Sequence, residues 1–552
     1  MSGAKPKDLI RAEELIDQGK FDAAFQLVIT FEKREGLTTH DRLLCQLLKS
    51  TLMNKLGRFD EGLELAEQAF KESQRLRMHL QRLDALIVMT ATLWGLGRFS
   101  ESLDLVEEGE QLIESLASGQ SSDLNQDIMQ RKANLINQKG DIYWAKGDLN
   151  RALECFKENL ALCETLNNKQ LLVISLQNIG LIYDTYGDLD RTSEYLEQSL
   201  ALCETLNNTE LLALVLHNTG AHYPGKGDLD RGLKLLERSL SIFKAQGNKF
   251  YIAGSLAQIA EIYRRKGDLT QALEHIERSL TLHKEIGNKF YIARSLQRIG
   301  DIYRQKNDLD RALEYVEHSM TLHKEVGNNL SVANNLFSLI SIAIDKTAFE
   351  KAQQYLQQLQ EINNQEKNRD IDQRYRLAEA LMLKTSSRAR HRVKAEELLT
   401  QVVEEEVIDH EITVIALLNL CEILLDELKA YGEAVVFQEA KAMANKIYTL
   451  AQNKHSFSVI VNALILQAKF AMVDGNFSMA INFLEQAEST AVAKGLRLLV
   501  TKVSVEKQHL EDQYDSWQTL IQDNAPFRAK LEQARLEDYI KEAKKRISMD
   551  LK

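Results

Sequence analysis

Apolar positions recur along this chain with the spacing of helices. Between Phe290 and Lys306, the residues Leu296, Ile299, Ile302 and Tyr303 fall on one helical face. Asn307 breaks the pattern, and Asp308 is placed to cap a second helix. Leu313, Val316, Met320 and Leu322 then mark its buried face up to Val326, and Gly327 ends it. The predicted unit is therefore two helices joined by a tight turn. It recurs: GDLNRAL begins at Gly147, GDLDRTS at Gly187, GDLDRGL at Gly227, GDLTQAL at Gly267, NDLDRAL at Asn307 and TAFEKAQ at Thr347, in steps of 40 residues. Segments 248–287 and 288–327 both open with NKFYIA and both contain TLHKE. A period of this length belongs to a two-helix solenoid repeat. GRFDEGL at Gly57, GRFSESL at Gly97 and GNFSMAI at Gly475 carry the unit towards both ends, whereas helix pairs over 366–454 are read from periodicity alone.

Small residues recur where paired helices must approach, at Gly140, Gly180, Gly220, Ala260 and Gly300. Tyr143, Tyr183, Tyr223, Tyr263 and Tyr303 follow three residues later. Glycine inside a helix costs roughly 1 kcal/mol against alanine, so its recurrence needs a packing reason. The pattern formed by Leu296, Gly300, Tyr303, Asn307, Asp308 and Ala312 resembles the tetratricopeptide repeat (TPR). The longer helices resemble those of spindle-orientation adaptors, kinesin light chains and bacterial peptide-regulator arms. The resemblance implies an all-α, right-handed superhelical solenoid of antiparallel helix pairs, about twelve of them, plus a capping helix.

The boundaries follow from the register. Three pairs are expected over 1–116, a linker over 117–127, the central array over 128–365 and divergent pairs over 366–496. A capping helix and a charged tail complete the chain over 497–552. The linker accounts for a step of 50 residues between Gly97 and Gly147. Pro224-Gly225 is expected to stop or kink a first helix early. The charged segment beyond Pro526 is expected to be solvent-exposed, with a fold-back regulatory element as the alternative.

Composition narrows the function. Only 3 prolines occur in 552 residues, against about 27 at average usage, which favours long helices. A net charge of −11 argues against nucleic acid as a partner. Five cysteines without CxxC spacing suggest neither disulfides nor zinc, and suit a reduced, cytoplasmic compartment. No signal peptide and no apolar run long enough to span a membrane is visible. P-loop, GxGxxG, HExxH and GxSxG motifs are missing, so neither an enzyme nor a cofactor or metal site is expected.

The expected function is a scaffold or adaptor that binds extended or helical segments of partner proteins in its concave groove. The alternative is a ligand- or peptide-responsive signalling regulator whose array changes curvature or releases its C-terminal helix. By resemblance, the first helix of each pair lines the groove. One column there, Gln138, Asn178, Asn218, Gln258 and Arg298, offers hydrogen-bonding side chains at a regular rise. In the resembled family asparagine at this position binds peptide backbone. A basic cluster of Arg264, Arg265, Arg294, Arg298 and Arg304, with Asp301 on the same face, would suit an acidic peptide. Arg294 and Arg298 match the basic pair of the carboxylate clamp of chaperone-binding TPR domains. Gln258, His217 and Ala221 depart from that clamp, so a looser acidic-peptide site is the expectation.

Overall fold

The computed structural model describes residues 5–117, 122–186, 188–226, 228–366, 368–405, 409–453 and 456–548. Among them all regular structure is helical, and 28 helices form twelve consecutive pairs and a C-terminal group. The first three pairs are α1 (Lys7–Asp17) with α2 (Phe21–Glu32), α3 (Thr39–Lys55) with α4 (Phe59–Arg75), and α5 (His79–Leu96) with α6 (Phe99–Ala117). The central pairs are α7 (Ser122–Lys146) with α8 (Leu149–Thr165), α9 (Lys169–Thr185) with α10 (Leu189–Glu204), and α11 (Thr209–Lys226) with α12 (Leu229–Gln246). They continue as α13 (Lys249–Lys266) with α14 (Leu269–Ile286), α15 (Lys289–Gln305) with α16 (Leu309–Glu325), and α17 (Asn329–Asp345) with α18 (Phe349–Gln365). The divergent pairs are α19 (Arg369–Lys384) with α20 (Ala389–Glu404), α21 (His410–Tyr431) with α22 (Ala434–Asn453), and α23 (Phe457–Val473) with α24 (Phe477–Ala493). Four helices close the chain: α25 (Arg497–Asp512), α26 (Tyr514–Gln522), α27 (Phe527–Gln533) and α28 (Leu536–Ser548).

The recurring residues explain the recurring unit. Asp148, Asp188, Asp228, Asp268 and Asp308 each accept a bond from the backbone N–H three residues on, capping a second helix. Arg191, Arg231 and Arg311 lay their guanidinium groups over Tyr183, Tyr223 and Tyr303 of the paired first helix. Ser199, Ser239, Ser279 and Ser319 donate to main-chain carbonyls of the preceding first helix. The glycine column marks the crossing: a Cβ on Gly300 would lie 2.6 Å from Val316 Cγ2. Successive first helices touch, as α5 does α7 and α11 does α13, and no comparable contact joins successive second helices among the described residues. A stack whose first helices lie closer together than its second helices curves with the first helices inside.

The curvature brings distant repeats together along a seam. Asn288 and Asn328, which cap α15 and α17, also donate to the carbonyls of Gly95 and Ala145, 193 and 183 residues earlier. Gly147, at φ +83°, lies so near Leu330 that an added Cβ would approach its Cβ to 2.9 Å. Lys55 pairs with Glu210 at 2.6 Å across the same seam. Phe59, Trp94, Phe99 and Trp144 from the early pairs pack edge-on against Phe250, Phe290 and Tyr291 of α13 and α15. Phe250, Phe290 and Tyr291 thus serve between successive turns of the superhelix, while Tyr251 stacks on Phe243 of the preceding helix.

Three expectations change. Of the linker 117–127, residues 118–121 lie outside the described residues, and 122–127 are already helical in α7, which is correspondingly long. Helix α11 does not stop early at Pro224 but runs to Lys226, because a proline in the last turn removes one donor without preventing the final residues from staying helical. The tail beyond Pro526 is not solvent-exposed. Leu536, Tyr539, Ile540, Ala543 and Ile547 form one apolar stripe on α28, are at most 3% exposed, and pack on α21 and α23. The turn glycines Gly187 and Gly227 also lie outside the described residues.

Candidate functional site

The first helices α7, α9, α11, α13 and α15 line the concave side, here called the channel, and the seam brings α5 and α7 against α13, α15 and α17 across it. The amide column falls on this lining, each member half-buried. Its side chains reach mostly to the neighbouring first helix. Gln138 Nε2 donates to the Ile87 carbonyl at 3.0 Å. Asn178 Nδ2 donates to Asn137 Oδ1 at 3.0 Å and Asp141 Oδ1 at 3.2 Å. Asn218 donates to Gln177 at 3.4 Å, and Arg298 Nη2 donates to Gln258 Oε1 at 3.1 Å. The column therefore stitches the repeats together, and Gln138 Oε1 is left buried without a hydrogen-bond partner among the described residues.

The arginines divide into two groups. Arg264 and Arg304 are 5% and 4% exposed. Arg264 forks onto Glu261 at 2.8 Å and 2.9 Å, and Arg265 Nε meets the same carboxylate at 2.6 Å. Burial works against the charge on Glu261, but Arg264 and Arg265 together hold its carboxyl well below the usual carboxylate range. Arg304 reaches Asp345 at 3.4 Å. Those three stabilise the lining. Arg294 and Arg298 face the channel. Arg294 has no hydrogen-bond or ion-pair partner among the described residues, and its guanidinium carbon lies 5.9 Å from the Trp144 ring centre and 5.8 Å from that of Phe290. Burial lowers the pKa of Arg294 and brings that of Arg298 to about 10; a guanidinium keeps its charge in proteins.

The remaining channel groups respond to this field. Burial, then Arg298 and Arg294, lowers His217 to about 4 while its Nδ1 lies 3.0 Å from Ser255 Oγ. His283, behind the Tyr291 ring, is pushed to about 3 by burial and the same two arginines. Asp301 and Asp141 are pushed up to about 7 by burial. The Tyr251 and Tyr291 hydroxyls have no hydrogen-bond partner among the described residues, and burial raises both. Arg294 and Asp301 were legible as polar positions on a first helix. Trp144 was not legible as a channel residue, because only the seam brings α7 opposite α15. Among the described residues no group of three or more His, Cys, Asp or Glu side chains could hold a metal ion, and no helix is long and apolar enough to cross a membrane.

The sequence profile of the MalT-like TPR region matches residues 185–501, more than half the chain, and a tetratricopeptide repeat profile matches residues 131–205. The chain belongs to the MalT-like TPR family. No curated protein sequence matches it. Similar solved structures include a Rap protein complexed with Competence and Sporulation Factor, at 15% identity and a TM-score of 0.48, covering 65% of this chain and 97% of that one. NprR in complex with its cognate peptide NprX is 17% identical with a TM-score of 0.45, covering 65% and 97%. Aspartyl phosphate phosphatase F from Bacillus subtilis is 10% identical with a TM-score of 0.38, covering 66% and 96%. In this MalT-like TPR array, Arg294 of α15 lies near the rings of Trp144 and Phe290 on the concave side.

Proposed function

We propose that this MalT-like TPR protein is a protein–protein interaction scaffold that takes an extended or helical segment of a partner into its concave channel. The observation that carries this reading is Arg294, a guanidinium on the concave lining with no hydrogen-bond or ion-pair partner among the described residues. Such a group favours a carboxylate-bearing segment, since a guanidinium held between aromatic rings can donate a forked pair of bonds to a carboxylate. Half-buried amides along the lining add bonds to a peptide backbone without demanding a sequence. The test is affinity capture from native lysate with the wild-type chain, Arg294→Glu, and Arg278→Glu on the exposed face of α14. Partners lost with Arg294→Glu and kept with Arg278→Glu support the channel. Identical catches from all three refute it.

A second reading, a peptide-responsive regulator, is favoured by α28. That helix lies against the first helices α21 and α23, where a partner helix would lie in a vacant groove. Ion pairs hold it: Lys429 with Glu537 at 2.5 Å, Lys502 with Glu542 at 3.0 Å, and Lys544 with Glu422. Under this reading, deleting 527–552 raises the affinity for captured partners. Unchanged affinity counts against it.

A further inference from the structure

Arg294 lies where two turns of the superhelix meet, and the groups around it come from three first helices. Helix α7 of the earlier turn supplies Trp144 and Asp141. Helix α13 supplies Tyr251, and α15 supplies Tyr291, Arg294 and Arg298. The Trp144 ring covers the Arg294 guanidinium from across the seam. On its own helix the same guanidinium meets Phe290. Tyr291 stands between Trp94 at 6.2 Å and Phe250 at 5.1 Å, so the seam fixes the ring while its hydroxyl stays unpartnered among the described residues. Tyr251 is fixed by Phe243, stacked at 4.7 Å. Asp141 is held by Asn137 at 3.1 Å and Asn178 at 3.2 Å, within electrostatic reach of both tyrosine hydroxyls.

This arrangement has a definite chemical preference. The donors are the Arg294 guanidinium, unpaired among the described residues and set against aromatic rings, the remaining N–H groups of Arg298 and two phenols. They match an anion with an apolar neighbour. Asp141 is within electrostatic reach of both phenols and Glu261 of Arg298, so above about pH 7, where Asp141 is ionised, a second negative charge on the ligand is opposed. We infer that Arg294, Trp144, Tyr251 and Tyr291 form one composite site, completed only across the seam, that binds a single carboxylate side chain flanked by an apolar residue in a partner peptide.

The inference rests on the channel-binding reading above. It goes further in naming the ligand group, in recruiting α7 of the other superhelical turn, and in giving Asp141 the role of excluding dianions. Arg294 and the two phenols are the groups that touch the ligand. Trp144 is a positioning residue, because it acts by holding the guanidinium.

The test uses immobilised decapeptides with a central Leu-Glu, Leu-Gln or Leu-phosphoserine and otherwise randomised positions, bound to the full-length chain. The wild type is expected to prefer the Glu set over both others. Arg294→Gln should abolish that preference, weakening the Glu set by about ten- to a hundredfold, the range of a charge-assisted bond. Trp144→Leu should weaken it by about tenfold and Trp144→Phe should restore it, because any ring can face the guanidinium. Asp141→Asn should admit the phosphoserine set, an effect that a purely structural aspartate does not have. Glu and Gln sets bound alike by the wild type overturn the composite site and leave the channel reading standing. Binding of no set overturns both. A Trp144→Leu protein that is folded by circular dichroism and keeps full Glu preference refutes the contribution of α7.

Discussion

Asn288 caps α15 through its side-chain oxygen, which accepts from the Tyr291 N–H at 3.1 Å, and its side-chain nitrogen donates to the carbonyl of Gly95 in α5. One residue thus starts a helix and ties it to the previous superhelical turn. Replacement by aspartate keeps the cap acceptor and removes the donor. Replacement by alanine removes both, and losing a cap alone costs about 0.5–2 kcal/mol. Both variants are therefore expected to melt below the wild type, Asn288→Asp also because it sets a buried carboxylate against the Gly95 carbonyl. Hydrogen exchange checks the seam: the last turn of α5 should lose protection in both variants.

The helix crossings give a graded prediction. A Cβ at Gly300 meets Val316 Cγ2 at 2.6 Å and the Ala312 carbonyl at 3.2 Å, and a β-branched side chain in a helix has little freedom to withdraw. At Gly180 the nearest atoms belong to the Leu196 side chain at 3.2 Å. Gly300→Ala should cost about 1–3 kcal/mol. Gly180→Ala should be close to neutral, since alanine's helix preference of roughly 1 kcal/mol offsets the tighter contact. Thermal melts of the two variants side by side decide it.

The charged groups set opposing pH dependences. Asp301 is pushed up to about 7 by burial from an ordinary 3.8. The cost of its charged form is present above pH 7 and is relieved as the pH falls towards 3.8. Asp301→Asn should therefore raise the melting temperature at pH 8, with the gain gone at pH 4. The histidines run the other way. His217 at about 4, with His283 and His323 at about 3, are neutral in the fold and protonate at about 6.5 when unfolded. Their contribution is present above pH 6.5 and is lost as the pH falls through the window down to 4 and 3. Melting temperatures from pH 8 to pH 4 test both limbs.

Helix α28 is an integral part of the C-terminal core. Ile540 is fully buried, and the Tyr539 hydroxyl donates to the Asn462 carbonyl at 2.7 Å. Glu422 receives both Lys544 and Lys384, which bring its carboxyl down to about 2 against the effect of burial. Ile540→Ala should cost about 2–5 kcal/mol locally. It should also sensitise α27 and α28 to limited proteolysis before the central array. Equal protease resistance in variant and wild type would show that α28 is not held in this way.

The repeat made most of the fold legible. Gly300, Tyr303, Asp308 and Ala312 predict a helix end, a cap and a crossing, and each is found where the spacing puts it, because these are contacts within some twenty residues. The buried tail was harder to read. Leu536, Tyr539, Ile540, Ala543 and Ile547 are few among charged neighbours, and their common face matters only because α21 and α23 lie under it. The site was half legible. Arg294 and Arg298 stand out from the repeat because other copies lack them. That Arg294 is unpartnered while Arg264 and Arg304 are buried pairs depends on three-dimensional neighbours. Trp144 carried no signal at all, because its partners lie in another superhelical turn and no repeat register links them.

The most direct test places a photo-crosslinking benzoylphenylalanine at Asn218 on the channel lining of α11 or, separately, at Glu314 on the exposed side of α16. The account predicts that a captured partner crosslinks from position 218, through one short segment bearing a carboxylate, and does not crosslink from 314. Crosslinks from 314 with none from 218 would place the partner on the convex face and contradict the channel.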